Sequence, residues 1–144
     1  MAAAQARRSV LKNNMENEYT EIIDLGFSVA DAEDPKFLYD GENLKISFID
    51  WNDKSEQLLC SNVIAFRWQR AEYQIDENER FDSTHIVHNS KWLKLHNEQN
   101  ETWPNAEFQH YKLNFNAAGI LEIICTEIKK TEPVASQDPG GSLA

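Results

Sequence analysis

Hydrophobic and polar residues alternate with a period of two along much of the chain, and this pattern predicts β-strands rather than helices. In the run 44–50, the apolar residues Leu44, Ile46 and Phe48 share one face, and the polar residues Lys45 and Ser47 share the other. A second strand-like run, 36–39, lies just before it, with the pair Asp40-Gly41 between the two. Because an Asp-Gly pair in this position favours a tight turn with positive φ, these residues predict a β-hairpin.

Similar patterns predict further strands at about 19–29, 57–60, 63–70, 110–115 and 120–128. In the predicted strand 110–115, the polar residues His110, Lys112 and Asn114 alternate with apolar residues, which predicts a face turned to solvent. The strand 120–128 is apolar on both faces near its start, so we expect it to be central in its sheet.

Helical periodicity is confined to one short segment after Ser90, whose hydroxyl suits an N-cap position. No long helices separate the predicted strands, which argues against a parallel, doubly wound sheet. The sequence therefore predicts a mainly β fold, α+β at most: an antiparallel β-sandwich or a partly open barrel with one short helix.

Composition divides the chain into three parts. All fifteen aromatic residues lie in the stretch from Tyr19 to Phe115, which indicates a single β-rich domain over 15–130. Residues 1–14 lack aromatic residues and are expected to form a flexible extension. Residues 131–144 are small, polar and rich in Pro and Gly, and they are expected to be a disordered tail.

The charge of the chain is strongly acidic, with 24 Asp and Glu against 14 Lys and Arg. Residues 15–130 carry 22 of these acids and 11 of these bases. This surplus disfavours nucleic acid and anionic membranes, because both require positive charge. It favours encounter with a basic protein, although a role in solubility alone is the simpler alternative. Without a signal peptide or a long apolar run, we expect a cytoplasmic protein.

Motifs for catalysis are absent from the sequence. It has neither a Gly-x-Ser-x-Gly nucleophile motif nor a glycine-rich phosphate loop. Cys60 and Cys125 stand in apolar runs, which is typical of buried free cysteines, although a disulfide between them stays open. His85 and His88 lie three apart on a predicted strand, so they point to opposite faces. We therefore predict no catalytic residue, no metal and no cofactor.

Two acidic clusters and three aromatic residues in polar surroundings are the best candidates for contacts with a partner. Acids supply charge complementarity, and exposed aromatic side chains are typical anchors of protein interfaces. The sequence leaves open whether the two acidic clusters share a surface. The candidate partner-binding residues are Asp76, Glu77, Glu79, Asp82, Glu33, Asp34, Trp51, Tyr73 and Trp103.

Two segments, LKISFIDWNDKSEQLLCSNVIAFRWQ and HYKLNFNAAGILEIICTEI, carry a family resemblance. With the pairs Asp50-Trp51 and Phe115-Asn116, the region 36–128 resembles small uncharacterised bacterial proteins, several groups of which are regarded as immunity proteins for secreted toxins. The resemblance implies a cytosolic protein that binds and neutralises one partner, and it assigns no catalytic residues to this chain. The acidity would suit a basic toxin such as a nuclease.

Three other functions stay open at this point. A β-barrel or β-sandwich can bind a small molecule in a pocket lined by aromatic residues. A structural subunit can pair a strand edge with a copy of itself, so both a monomer and a homodimer are compatible with the sequence. An enzyme is the residual alternative, and it would require several titratable groups in one cleft.

Overall fold

The computed structural model describes residues 17–70 and 73–132. The strands in these ranges are β1 (Tyr19–Ile22), β2 (Glu33–Tyr39), β3 (Leu44–Ile49), β4 (Ser55–Ser61), β5 (Ala65–Gln69), β6 (Thr84–His88), β7 (Gln109–Asn114), β8 (Ile120–Cys125) and β9 (Glu127–Thr131). Helix α1 spans Lys91–Glu98, and a 3₁₀ turn spans Asn116–Ala118. In these two ranges no helix is both long and apolar enough to cross a membrane.

The strands form two antiparallel sheets. The five-stranded sheet has the order β1-β6-β7-β8-β5, and the four-stranded sheet has the order β2-β3-β4-β9. Every pair of neighbouring strands is antiparallel. The fold is therefore mainly β, with two sheets that are not closed into a barrel and one short helix, as the sequence predicts.

The hydrophobic core lies between the two sheets and is built from alternate residues of their strands. The four-stranded sheet contributes Ile46 and Leu58, both fully buried, and the five-stranded sheet contributes Leu113 and Ile123. Burial of each such side chain contributes roughly 1.5–3 kcal/mol. The free cysteines Cys60 and Cys125 belong to this core cluster, so the prediction of buried thiols is confirmed.

Two local predictions are confirmed. The hairpin β2–β3 forms around Gly41, which has a φ of +97°. Its loop comprises residues 40–43, in which Asp40 Oδ1 accepts the backbone N–H groups of Glu42 and Asn43. Helix α1 begins after Ser90, whose hydroxyl accepts the backbone N–H of Leu93.

Two of the predicted strands have different bounds in the structure. The predicted strand 19–29 is a strand only over β1, and the remainder is a loop that packs on the core. The predicted strand 120–128 divides at Thr126 into β8 and β9, because the chain crosses there from one sheet to the other. β8 pairs with β7 on one side and β5 on the other, so the prediction of a central strand is confirmed.

A third correction concerns the polar face of β7. His110, Lys112 and Asn114 do not face solvent; each is at most 1% exposed. This face is covered by α1 and by the loop that precedes β6, which contribute Trp92, Tyr73 and other side chains.

The outer parts of the chain are only partly described. The predicted extension 1–14 and most of the predicted tail lie outside the described residues. β9 continues through Thr131, which pairs with Gln57, so the sheet extends one residue beyond the predicted boundary of the domain.

Candidate functional site

The segment around Asp31, in the second acidic cluster, meets the loop that holds Asp82, a member of the first, at one end of the sandwich, and Asn116 joins them. The side-chain Oδ1 of Asn116 accepts the backbone N–H of Asp31 at 2.9 Å, and its Nδ2 donates to Asp31 Oδ1 at 3.3 Å. The backbone N–H of Asn116 donates to the carbonyl of Phe81 at 2.9 Å. The segment that leads into β2 and the loop that leads into β6 are therefore adjacent.

Glu33 and Asp34 extend this surface along the start of β2. Both are exposed, and Asp34 has a φ of +52° at an irregularity in the strand pairing. Glu33 pairs in register with Ile49, two residues before Trp51. Trp51 stands in the β3–β4 turn and is 62% exposed, so an exposed aromatic residue follows the strand end that pairs with the start of β2.

Asp82 and Asp24 bring further negative charge to the same end. They line a shallow groove of about 180 Å³ together with Ser28 and Thr84. Asp82 also lines a neighbouring groove with Asn116. We define the acidic end as the set Asp24, Asp31, Glu33, Asp34 and Asp82.

Most of the negative charge at the acidic end has no basic partner among the described residues. Among the described residues, one member of the set forms a salt bridge: Asp82 Oδ1 lies 3.5 Å from Arg80 Nε. The other bridges between a carboxylate and Lys or Arg lie elsewhere, and they join Arg67 to Glu122, Lys112 to Glu79 and Lys130 to Glu56. The acidic end therefore presents net negative charge to solvent.

Glu79 does not belong to any surface. It is 3% exposed, and its carboxylate contacts Lys112 Nζ at 2.5 Å. It also accepts hydrogen bonds from the backbone N–H of Ile75 and from Asn114 Nδ2. The prediction that Glu79 contacts a partner is corrected here, because a carboxylate with three internal donors is not available to a partner.

The other predicted contact residues lie apart from the acidic end. Asp76 accepts two hydrogen bonds from Thr20; partial burial opposes ionisation, but these bonds outweigh it and lower the pKa of Asp76. Glu77 is exposed beside it. Tyr73 is half-buried, and its ring lies 3.8 Å from Lys112 Nζ.

Trp103 lies near the opposite end of β7 from the acidic end. It is 50% exposed and packs edge-on against Phe108, just before β7 begins. The acidic end adjoins the other terminus of β7, where Asn116 follows. The structure thus places the segment of Glu33 and Asp34, the turn of Trp51 and the loop of Asp82 at one end of the sandwich and Trp103 at the other.

A buried polar network under α1 was not predicted from the sequence. Arg67 forms a bidentate salt bridge with Glu122, in which Nε donates to Oε2 at 3.1 Å and Nη2 donates to Oε1 at 3.3 Å. Its guanidinium lies over the ring of Trp92. Glu122 contacts His110 Nε2 at 2.6 Å, and His110 Nδ1 contacts Ser90 Oγ at 2.7 Å. The network fastens the start of α1 to the five-stranded sheet.

The side chains of Ser90, His110 and Glu122 are joined in the order of a hydrolase triad, and each of them also has a structural contact. Burial, with the charges of Arg67 and Lys112, lowers the pKa of His110 to about 3, so it is a poor general base near neutral pH. Ser90 is 7% exposed, and its hydroxyl already caps α1. A structural role explains each of these contacts.

Metal binding has no support in the described part of the chain, where no three His, Cys, Asp or Glu side chains are grouped to hold an ion. His85 is fully buried, and His88 is partly exposed on the opposite face of β6. His85 Nε2 instead accepts the backbone N–H of Arg80.

Comparison with known proteins found no matching family model, curated protein or solved structure. The resemblance to toxin-immunity proteins therefore stays a prediction, and the geometry of the site is the basis on which a function can be proposed.

Proposed function

We propose that this chain is a non-catalytic, cytoplasmic binding protein whose acidic end docks a basic protein, in the manner of an immunity protein that neutralises a basic toxin such as a nuclease. The observation that carries the proposal is the group of carboxylates at one end of the sandwich, most of them without a basic partner in the described ranges. The exposed Trp51 stands in the turn that follows Ile49, the strand partner of Glu33.

Charge and shape have separate roles in this binding mode. Unpaired carboxylates raise the rate of encounter with a positively charged surface, and this effect weakens as salt increases. The exposed ring of Trp51 supplies apolar area, and buried Trp is a frequent hot spot of protein interfaces. The pairing of Glu33 with Ile49 places the turn that carries Trp51 next to the start of β2.

Affinity capture from the native host tests the proposal with a triple variant, D31N/E33Q/D34N. The substitutions remove charge but keep size, and Asn tolerates the positive φ of Asp34. The matched control is E98Q/E107Q/E127Q, which removes the same charge from exposed residues outside the acidic end. Bound proteins are identified by mass spectrometry at low and high salt.

We expect the wild type and the control variant to retain the same basic protein at low salt and to release it at high salt. The triple variant should not retain it. If both variants lose the protein equally, only net charge matters and the proposed surface is wrong. If no basic protein is retained by the wild type, the proposed function is wrong.

A further inference from the structure

A second surface has the opposite character from the acidic end. A groove of about 550 Å³ lies between α1 and the end of β6. The acidic end adjoins Thr84, the first residue of β6, whereas this groove adjoins Val87 and His88 at its other end. The two surfaces are therefore separated by the length of one strand.

The lining of the groove is basic and amide-rich. Lys91 and Lys94 lie three residues apart on α1, so their side chains share a face of the helix. Neither ammonium group takes part in a salt bridge with a described residue. The remaining polar lining includes Asn89, Asn97 and Gln109, and no carboxylate of the described residues lines the groove.

Apolar side chains form part of the wall, since Val87 and Leu93 also line the groove. A volume of this size is typical of sites for small molecules. Two carboxylates stand at the edge of the groove and bind groups other than the lysine ammoniums: Glu18 accepts the backbone N–H of Lys91, and Glu21 contacts His88 Nε2. The first backbone N–H of α1 is thus occupied, and the lysine side chains supply the available positive charge.

We propose that this groove binds a small organic anion, with a phosphate or carboxylate group held by Lys91 and Lys94 and an apolar portion against Val87 and Leu93. Lysine is a common phosphate ligand that acts as a point charge. The local charge of the groove is opposite in sign to the net charge of the chain, which is −10. This site is independent of the proposed docking of a basic protein.

The test is an NMR titration of the full chain with phenyl phosphate, in which amide shifts are followed along α1. Inorganic phosphate and benzyl alcohol are titrated separately, to distinguish the anionic group from the apolar portion. The variant K91E/K94E is compared with K45E/K129E, which makes the same charge change at exposed lysines of the four-stranded sheet.

We expect saturable shifts at residues 89–97 with phenyl phosphate and weaker effects with either separate fragment. K91E/K94E should weaken binding about tenfold or more, because two attractive charges become repulsive, whereas K45E/K129E should change it little. The proposal is overturned if no saturable shift occurs, if the shifts lie outside the groove, or if the two double variants weaken binding equally.

Discussion

The buried pair Lys112–Glu79 offers the sharpest test of the fold. Both side chains are 0% exposed, and Lys112 Nζ lies 2.5 Å from Glu79 Oε2. Lys112 also donates to the carbonyl of Tyr73 at 2.9 Å. Loss of one partner from a buried pair leaves an uncompensated charge and typically costs about 3–5 kcal/mol.

We expect Glu79→Gln and Lys112→Met each to lower the free energy of unfolding by about 3 kcal/mol. In the double variant both charges are gone, and the introduced glutamine can still accept hydrogen bonds. We therefore expect the double variant to lose only about 2 kcal/mol, far from the sum of the single losses. Urea denaturation followed by tryptophan fluorescence measures all four proteins.

The exposed pair Arg80–Asp82 is the control, since its side chains are 65% and 38% exposed. Arg80→Met and Asp82→Asn should each cost under about 1 kcal/mol, with little coupling. The account of the buried network is refuted if the Lys112–Glu79 cycle is additive, or if its single variants cost no more than the control.

Four further outcomes follow from the structure. In the folded state His110 has a pKa lowered from 6.5 to about 3. As the pH falls from 6.5 towards 3, the unfolded state therefore binds this proton before the folded state does, and the free energy of unfolding decreases. In urea denaturation over this pH range, the decrease should be smaller for His110→Gln than for the wild type. Ser90→Ala should lower the melting temperature, because it removes an N-cap worth about 1 kcal/mol, whereas Ser90→Thr should not. Gly119→Ala should destabilise strongly in the same assay, because φ is +143° and a Cβ would lie 2.5 Å from the Trp68 side chain. Trp51→Ala should leave stability unchanged but weaken capture of the basic partner, and unchanged capture would remove the ring from the interface.

Local sequence signals predicted the elements that depend on neighbouring residues. The Asp40-Gly41 hairpin and the Ser90 cap are both set by hydrogen bonds within a few residues, so pattern and residue type sufficed.

Long-range contacts explain what the sequence did not reveal. The polar residues of β7 resemble a solvent-facing row, and only the fold shows that α1 and the loop before β6 cover it. Glu79 stands among exposed acids in the sequence but pairs with Lys112 on a distant strand. Asn116 links Asp31 to Phe81 across distant segments, and alternation along the chain carries no signal for such a bridge.

The most direct test of the central claim is the affinity of the captured basic partner for the wild type and for D31N/E33Q/D34N, measured by isothermal titration calorimetry at low and high salt. Docking at the acidic end predicts that the wild type binds more tightly at low salt and that the variant binds more weakly and with a smaller salt dependence. Equal affinity of the two proteins at both salt concentrations would contradict it.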